Sequence, residues 1–149
     1  MDVREWKLDK EVRSWRLDIV QLNLMIQSFK DLKVYQESYA LALIANRAIL
    51  RLPNSEKYDL VDQMRRASKS VPTNIAEGYA KRLSEKEFKK YLLSAIGSCN
   101  EMFVHISFAK DLGFWKPEFS DDLLRRYDIV GKQLTRLLQN WKSYPTSKI

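Results

Sequence analysis

The sequence predicts an all-α fold, an antiparallel four-helix bundle of one domain. Three observations carry this. Only four Gly and four Pro punctuate 149 residues, whereas sandwiches and barrels need a turn signal every dozen residues or so. Apolar side chains recur at steps of three and four through four long stretches, the spacing of one helix face. The connections between those stretches are short, so successive helices must run antiparallel.

The first segment, residues 1–27, reads as a helical arm. Trp6, Val12, Trp15, Ile19, Leu22 and Met25/Ile26 fall at helical spacing with charges between them, an apolar stripe that needs a surface to rest on. Helix one is expected over residues 32–51, with Tyr35, Tyr39, Ala42/Leu43 and Ile49/Leu50 as its inner face and Asn46 interrupting it. Pro53-Asn54 ends it. Helix two is expected to start at Ser55 as its cap, with Glu56 and Asp59 favourable at the positive end. Leu60, Met64, Ala67, Val71 and Ile75 make its seam, Pro72 predicts a kink, and Gly78 or the residues just after it close the helix.

Ser84-Glu-Lys-Glu87 has the form of a capping box and starts helix three. Its inner face is Phe88, Leu92, Ala95, Cys99, Met102/Phe103 and Ile106, and Ala95, Gly97, Ser98 and Cys99 form a small-residue patch that admits a close neighbour. Gly113 supplies the left-handed turn that stops it. Pro117 opens helix four, followed by Glu118, Asp121 and Asp122; Leu123, Tyr127, Val130, Leu134, Leu137 and Trp141 form its seam. The bundle domain thus covers residues 28–144, with a frayed tail at 145–149.

The net charge is +7, and residues 1–27 contribute five acidic and five basic side chains, so the whole excess lies in residues 28–149. A surplus of this size favours anionic partners such as RNA or DNA. On charge alone the plainer reading, a small domain that only needs to stay soluble, is slightly preferred. The single cysteine, Cys99, rules out an intrachain disulfide and fits a reducing cytoplasm. The N-terminus has no apolar run of a secretory signal, and the longest apolar stretch, residues 39–45, is too short to span a bilayer. A cytoplasmic protein with no membrane partner is expected.

No catalytic apparatus is visible, so no enzyme is expected. His105 is the only histidine, with Glu101 one turn before it; a carboxylate-bridged di-metal bundle needs Glu-x-x-His twice over plus further glutamates. No metal and no cofactor are therefore expected. No Arg or Lys lies between Gly97 and His105, which excludes an Arg-His ribonuclease arrangement. Neither a Gly-rich phosphate loop nor a nucleophile elbow occurs.

The most unusual segment is residues 63–78. Arg66, Ser70, Asn74 and Glu77, spaced four, four and three apart, share one stripe beside the apolar seam. Such a stripe is either an interhelical hydrogen-bond network that sets register and assembly or the lining of a ligand groove. The first is preferred, because fixing register is the best-attested use of buried polar groups. Basic residues cluster as well: Arg65, Arg66 and Lys69 on helix two, Arg82, Lys86, Lys89 and Lys90 at the start of helix three, and Arg125, Arg126, Lys132 and Arg136 on helix four. Tyr79 and Tyr91 lie near enough to stack on exposed bases. The alternative is a solvated helix face with ordinary pairing, such as Glu85 with Lys89.

Several ordered motifs carry a family resemblance. Ser28-Phe-Lys-Asp-Leu-Lys-Val-Tyr-Gln36, Gln63-Met-Arg-Arg-Ala67, Ser70-Val-Pro-Thr-Asn-Ile-Ala-Glu-Gly78, Glu87-Phe-Lys-Lys-Tyr-Leu92 and Ala95-Ile-Gly-Ser98 closely resemble the 23S rRNA intervening-sequence protein family. The resemblance covers residues 28–141. It implies a left-handed bundle assembled as a homopentamer and no enzymatic activity. The chain is similar too to the accessory variability proteins of diversity-generating retroelements, which implies nucleic acid and a reverse transcriptase as partners. Gln63, Arg66, Asn74, Glu77 and Gly78 match the family signature and are expected to be architectural. The arm at residues 1–27 has no counterpart in the usual family pattern.

Overall fold

The computed structural model describes residues 26–141, which are helical and contain no strand. Four long helices pack together: α1 Lys33–Ala48, α2 Leu60–Ala80, α3 Glu85–Asp111 and α4 Pro117–Asn140. The arm expected over residues 1–27 falls outside the described residues except for Ile26 and Gln27, and the tail at 145–149 falls outside them entirely.

Their order around the bundle follows from specific contacts. Asn46 of α1 donates to Ser68 of α2 at 2.9 Å. Ser70 and Ser98 meet at 2.8 Å in mid-helix, while Gly78 lies against Phe88 and Tyr91 at the turn, so α2 and α3 run antiparallel. Lys110 pairs with Asp121 at one end of α3 and α4, and Phe88 meets Trp141 edge-on at 4.6 Å at the other. Arg51, just past α1, lies over the Phe119 ring near the start of α4. The helices thus form a closed square, α1–α2–α3–α4–α1, each antiparallel to its neighbours.

The core lies along the axis of this square. Met64, Val71, Ile75, Phe88, Leu92, Met102, Ile106, Leu123, Tyr127, Val130 and Leu134 are all essentially inaccessible to solvent. Each such side chain contributes roughly 1.5–3 kcal/mol by leaving water. The seams expected for α2 and α4 are the ones observed, with Leu137 and Trp141 half-buried at the end of α4.

On α1 the expected face is displaced by one residue. The buried set is Val34, Ser38, Leu41, Ala42, Ala45 and Ala48, whereas Tyr39 is 50 % exposed and Leu43 43 % exposed. Alanines stand on both sides of this helix, and they let its small face pack inward and its large side chains turn out. On α3, Phe103 likewise points outward while Met102 is buried.

The termini also differ from expectation. Ser55 does not cap α2: Asn54–Glu56 is a separate 3-10 turn, and α2 begins at Leu60 with no side-chain cap. Two further carbonyl-to-amide bonds through Glu56 and Asp59 carry the chain across the gap. At α3, Ser84 Oγ accepts from the Glu87 amide at 3.3 Å. A complete reciprocal box stands instead at Ser28 and Asp31, where the Asp31 carboxylate accepts from the amides of Gln27 and Ser28 at 2.8 and 2.9 Å. Gly113 behaves as its residue type requires. Its φ of +76° lets its amide reach the Lys110 carbonyl and the Phe114 amide reach that of Ala109, at 3.0 and 2.8 Å, closing the last turn of α3. Helix α2 passes unbroken through Pro72, which is buried.

At Gly78 α2 and α3 approach closely. A Cβ there would stand 2.7 Å from Tyr91 Cβ and 3.0 Å from Phe88 Cδ2. Neither neighbour is a flexible side-chain end, so the helices themselves would have to part. Gly78→Ala is expected to destabilise the fold by about 1–3 kcal/mol despite alanine's better helix propensity, read as a lower urea midpoint. An unchanged or raised midpoint would show that the helix pair has slack.

Candidate functional site

Three features of the described residues are candidates for function: the polar contact between α2 and α3, the basic surface, and the outward apolar faces. The sequence points most directly to the polar contact. Asn74 Nδ2 donates to both the carbonyl and the hydroxyl of Ser70 at 2.9 Å, and that hydroxyl meets Ser98 at 2.8 Å. Ser70, Asn74 and Gly78 therefore lie on the α3 side of α2. The rest of the expected stripe does not join them. Arg66 turns to solvent and pairs with Asp62 at 2.7 Å, and Gln63 and Glu77 are exposed. A second interhelical contact, Asn46 to Ser68, is not among the expected stripe residues. Its signal was Asn46 itself, a polar residue at a seam position.

The small-residue patch divides in the same way. Ala95, Ser98 and Cys99 are buried, but Gly97 faces outward with nothing within 4 Å of where a side chain would sit. Burial pushes the Cys99 thiol up to about 12, so it stays protonated at neutral pH and is a poor nucleophile.

The basic residues do not form one patch. Arg65, Arg66 and Lys69 stand on the first half of α2, some eleven residues or about 16 Å of helix from its end. Arg125 and Arg126 both pair with Asp122 on α4, and Lys132 pairs with Asp128. Arg125 and Arg126 lie about 22 Å of helix from Trp141, which marks the end where α3 begins, whereas Lys132 and Arg136 lie about 13 and 7 Å from it.

The third group is the dense one. Around the α2–α3 turn stand Arg82, Lys86, Lys89 and Lys90, joined by Lys81, which the sequence reading passed over. Lys81 Nζ donates to the Tyr91 hydroxyl at 2.8 Å and lies 4.8 Å from the ring centre. That hydrogen bond and the phenol's charge raise its pKa above the ordinary lysine value. The Arg82 guanidinium lies 4.2 Å over the Tyr79 ring and donates to the Tyr79 carbonyl at 3.1 Å. Tyr79 is buried and Tyr91 is half-buried beneath these cations. The idea that both rings are open platforms for bases is therefore corrected: they are seats for Arg82 and Lys81. Lys89 pairs with Glu85 at 2.7 Å, while Lys86 and Lys90 have no ion-pair partner among the described residues.

Two apolar surfaces face outward. Along the outside of α3, Leu93, Val104, Phe108 and Leu112 are 51–59 % exposed, and with the open Gly97 they form a stripe opposite the core face. Between α1 and α2 runs an open groove of about 580 Å³, walled by Phe29, Tyr35, Tyr39 and Leu43 on one side and Pro72 on the other, with Lys69 on its lip. His105 Nε2 lies 3.4 Å from Glu101. Among the described residues no three His, Cys, Asp or Glu side chains converge in a way that would hold a metal ion, and no helix is long and apolar enough to cross a membrane.

No curated protein gives a significant match to the chain. Residues 30–136 match the family described as 23S rRNA-intervening sequence protein. The match runs from the turn before α1 to within four residues of the end of α4 and so takes in the packed length of all four helices. This chain belongs to the 23S rRNA-intervening sequence protein family.

Proposed function

We propose that this chain is a non-enzymatic, cytoplasmic helical bundle that assembles with copies of itself and binds RNA or DNA through phosphate contacts at its α2–α3 end. The observation that carries the reading is the crowding of five cations, Lys81, Arg82, Lys86, Lys89 and Lys90, within ten residues that hold two acidic side chains, Glu85 and Glu87. Two of the five are held in place on tyrosine rings, which lowers the entropy lost when they meet an anion. The absence of a base-reading motif in the sequence favours contacts that are indifferent to nucleotide sequence. Self-assembly, as the pentamer that the family resemblance implies, draws its support from the outward apolar stripe of α3, since a soluble monomer rarely leaves such a row uncovered. The non-enzymatic part rests on a single histidine, a buried cysteine and no phosphate loop.

A salt series tests this reading on the full chain. Binding to a mixed-sequence RNA or duplex should weaken steeply from low to high salt, with a log–log slope near −3 to −4 if four cations each displace a counterion. Lys86→Gln with Lys90→Gln should flatten that slope by about 2 for every sequence alike. No binding at low salt would remove the nucleic-acid reading. A protein partner such as a reverse transcriptase, captured with little salt dependence, would favour an adaptor instead. Light scattering on the same preparations reads assembly: Val104→Glu with Phe108→Glu should yield monomers, and a monomeric parent chain would sink the assembly claim.

A further inference from the structure

The groove between α1 and α2 is the one large apolar surface whose position along the chain suggests what covers it. Tyr39 and Leu43 stand half in water there, beside Phe29 and Tyr35, whose rings meet edge-on at 4.8 Å. Removing such side chains from water is favourable, so an occupant of complementary chemistry gains from seating there. The chain itself enters near this point: the described residues begin at Ile26, three positions before Phe29, which lines the groove. Preceding it are 25 residues with apolar side chains at helical spacing and, with five acidic and five basic groups, no net charge. A neutral segment has no electrostatic reason to seek phosphates.

We propose that residues 1–25 fold back on their own bundle and seat Val12, Trp15, Ile19 and Leu22 in the α1–α2 groove. The lengths agree. From Val12 to Leu22 is ten helical steps, about 15 Å, and from Tyr35 to Asn46 along the groove wall is eleven, about 16 Å. The reversal has a built corner. The Asp31 carboxylate ties down the amides of both Gln27 and Ser28, so the chain before α1 is held in a turn and not continued into the helix. Phe29 packs inside that turn and becomes the first wall of the groove. A segment tethered by a few residues reaches its site at an effective concentration in the millimolar range. Its own bundle therefore outcompetes a second copy at ordinary protein concentrations.

Limited trypsin digestion of the full chain decides this, because Arg13 and Arg16 flank Trp15 and lie on the seated stretch. Cleavage at both should be at least tenfold slower in the parent chain than in Leu43→Glu, whose substitution is at an outward position and leaves the core untouched. Trp15→Glu should release the same sites from the other side, and circular dichroism should show the bundle intact in both variants. The protection should be unchanged over a hundredfold range of protein concentration and retained in the Val104→Glu/Phe108→Glu chain, where no neighbouring subunit is present. Equal cleavage rates in parent and Leu43→Glu, fast or slow, would overturn the proposal. So would protection that grows with concentration, which assigns the groove to a second copy. Neither result bears on the salt dependence of nucleic-acid binding.

Discussion

Replacing Phe88 by alanine should cost the bundle about 3–5 kcal/mol, measured as a fall in ΔG of unfolding from urea titration. Phe88 is fully buried in the first turn of α3 and serves two junctions at once. Its ring edge lies against the place where Gly78 lets α2 come close, and the ring meets Trp141 at the end of α4 at 4.6 Å with the planes at 77°. Truncation therefore removes the transfer free energy of a whole ring and leaves a cavity that neither glycine nor a helix terminus can fill. An edge-to-face aromatic contact adds about 0.5–1.5 kcal/mol of loss beyond burial. Phe88→Leu should recover more than half of the deficit, since it refills most of the volume. A loss below 1 kcal/mol for the alanine variant would mean that the α2–α3 end collapses around the gap, and with it the claim of a closely fitted junction at Gly78.

Alkali should unfold the protein over a defined window, because two buried acids in the core keep their protons. Burial pushes the Cys99 thiol from 9.0 up to about 12. Burial first, and the neighbouring Cys99 second, push the Tyr127 phenol well above its ordinary 10.0, with Arg126 pulling weakly the other way. In the unfolded chain the thiol ionises near pH 9 and the phenol near pH 10, while the folded chain still holds both protons. Unfolding therefore releases protons, and stability falls as pH rises, by about 1.4 kcal/mol per pH unit for each group once its unfolded value is passed. The decline begins near pH 9, steepens above 10, and for the thiol ends near 12. Below pH 9 neither group contributes any slope.

The Tyr127 hydroxyl is also buried without a hydrogen-bond partner among the described residues. Tyr127→Phe is accordingly expected to be neutral or stabilising by about 1 kcal/mol at pH 7 and to remove one of the two alkaline slopes. Denaturant titrations at pH 7, 9, 10 and 11 on the parent and Tyr127→Phe chains check both statements. Identical slopes in the two proteins above pH 10 would show that the phenol ionises freely in the fold.

These expectations separate what the chain determines locally from what packing decides. The seams of α2 and α4 were legible because their apolar side chains are large and stand alone at steps of three and four, as Leu60, Met64, Val71 and Ile75 do. Gly113 was legible for a local reason too, since a backbone at φ +76° excludes nearly every other residue. The basic cluster at residues 82–90 was visible in the same way, being a run in sequence. α1 was not legible in detail: with alanines on both flanks its size pattern and its burial pattern differ by one residue, and only the neighbouring helices choose between them. The outward tyrosines that this choice exposes create the groove, so the groove could not be foreseen from periodicity.

Composition and spacing, acting alone, determined four helices, their antiparallel order and the buried seams of α2 and α4, since these follow from chain connectivity and from which faces shun water. The tertiary structure decided which polar residues meet across helices, why Arg66 and Glu77 leave the stripe that Ser70 and Asn74 keep, and how Tyr79 and Tyr91 come to lie under cations. Those outcomes depend on the distance and rotation between two rods. Contacts between residues 28 positions apart, such as Ser70 and Ser98, exist only after the rods have packed, and no local pattern encodes that geometry.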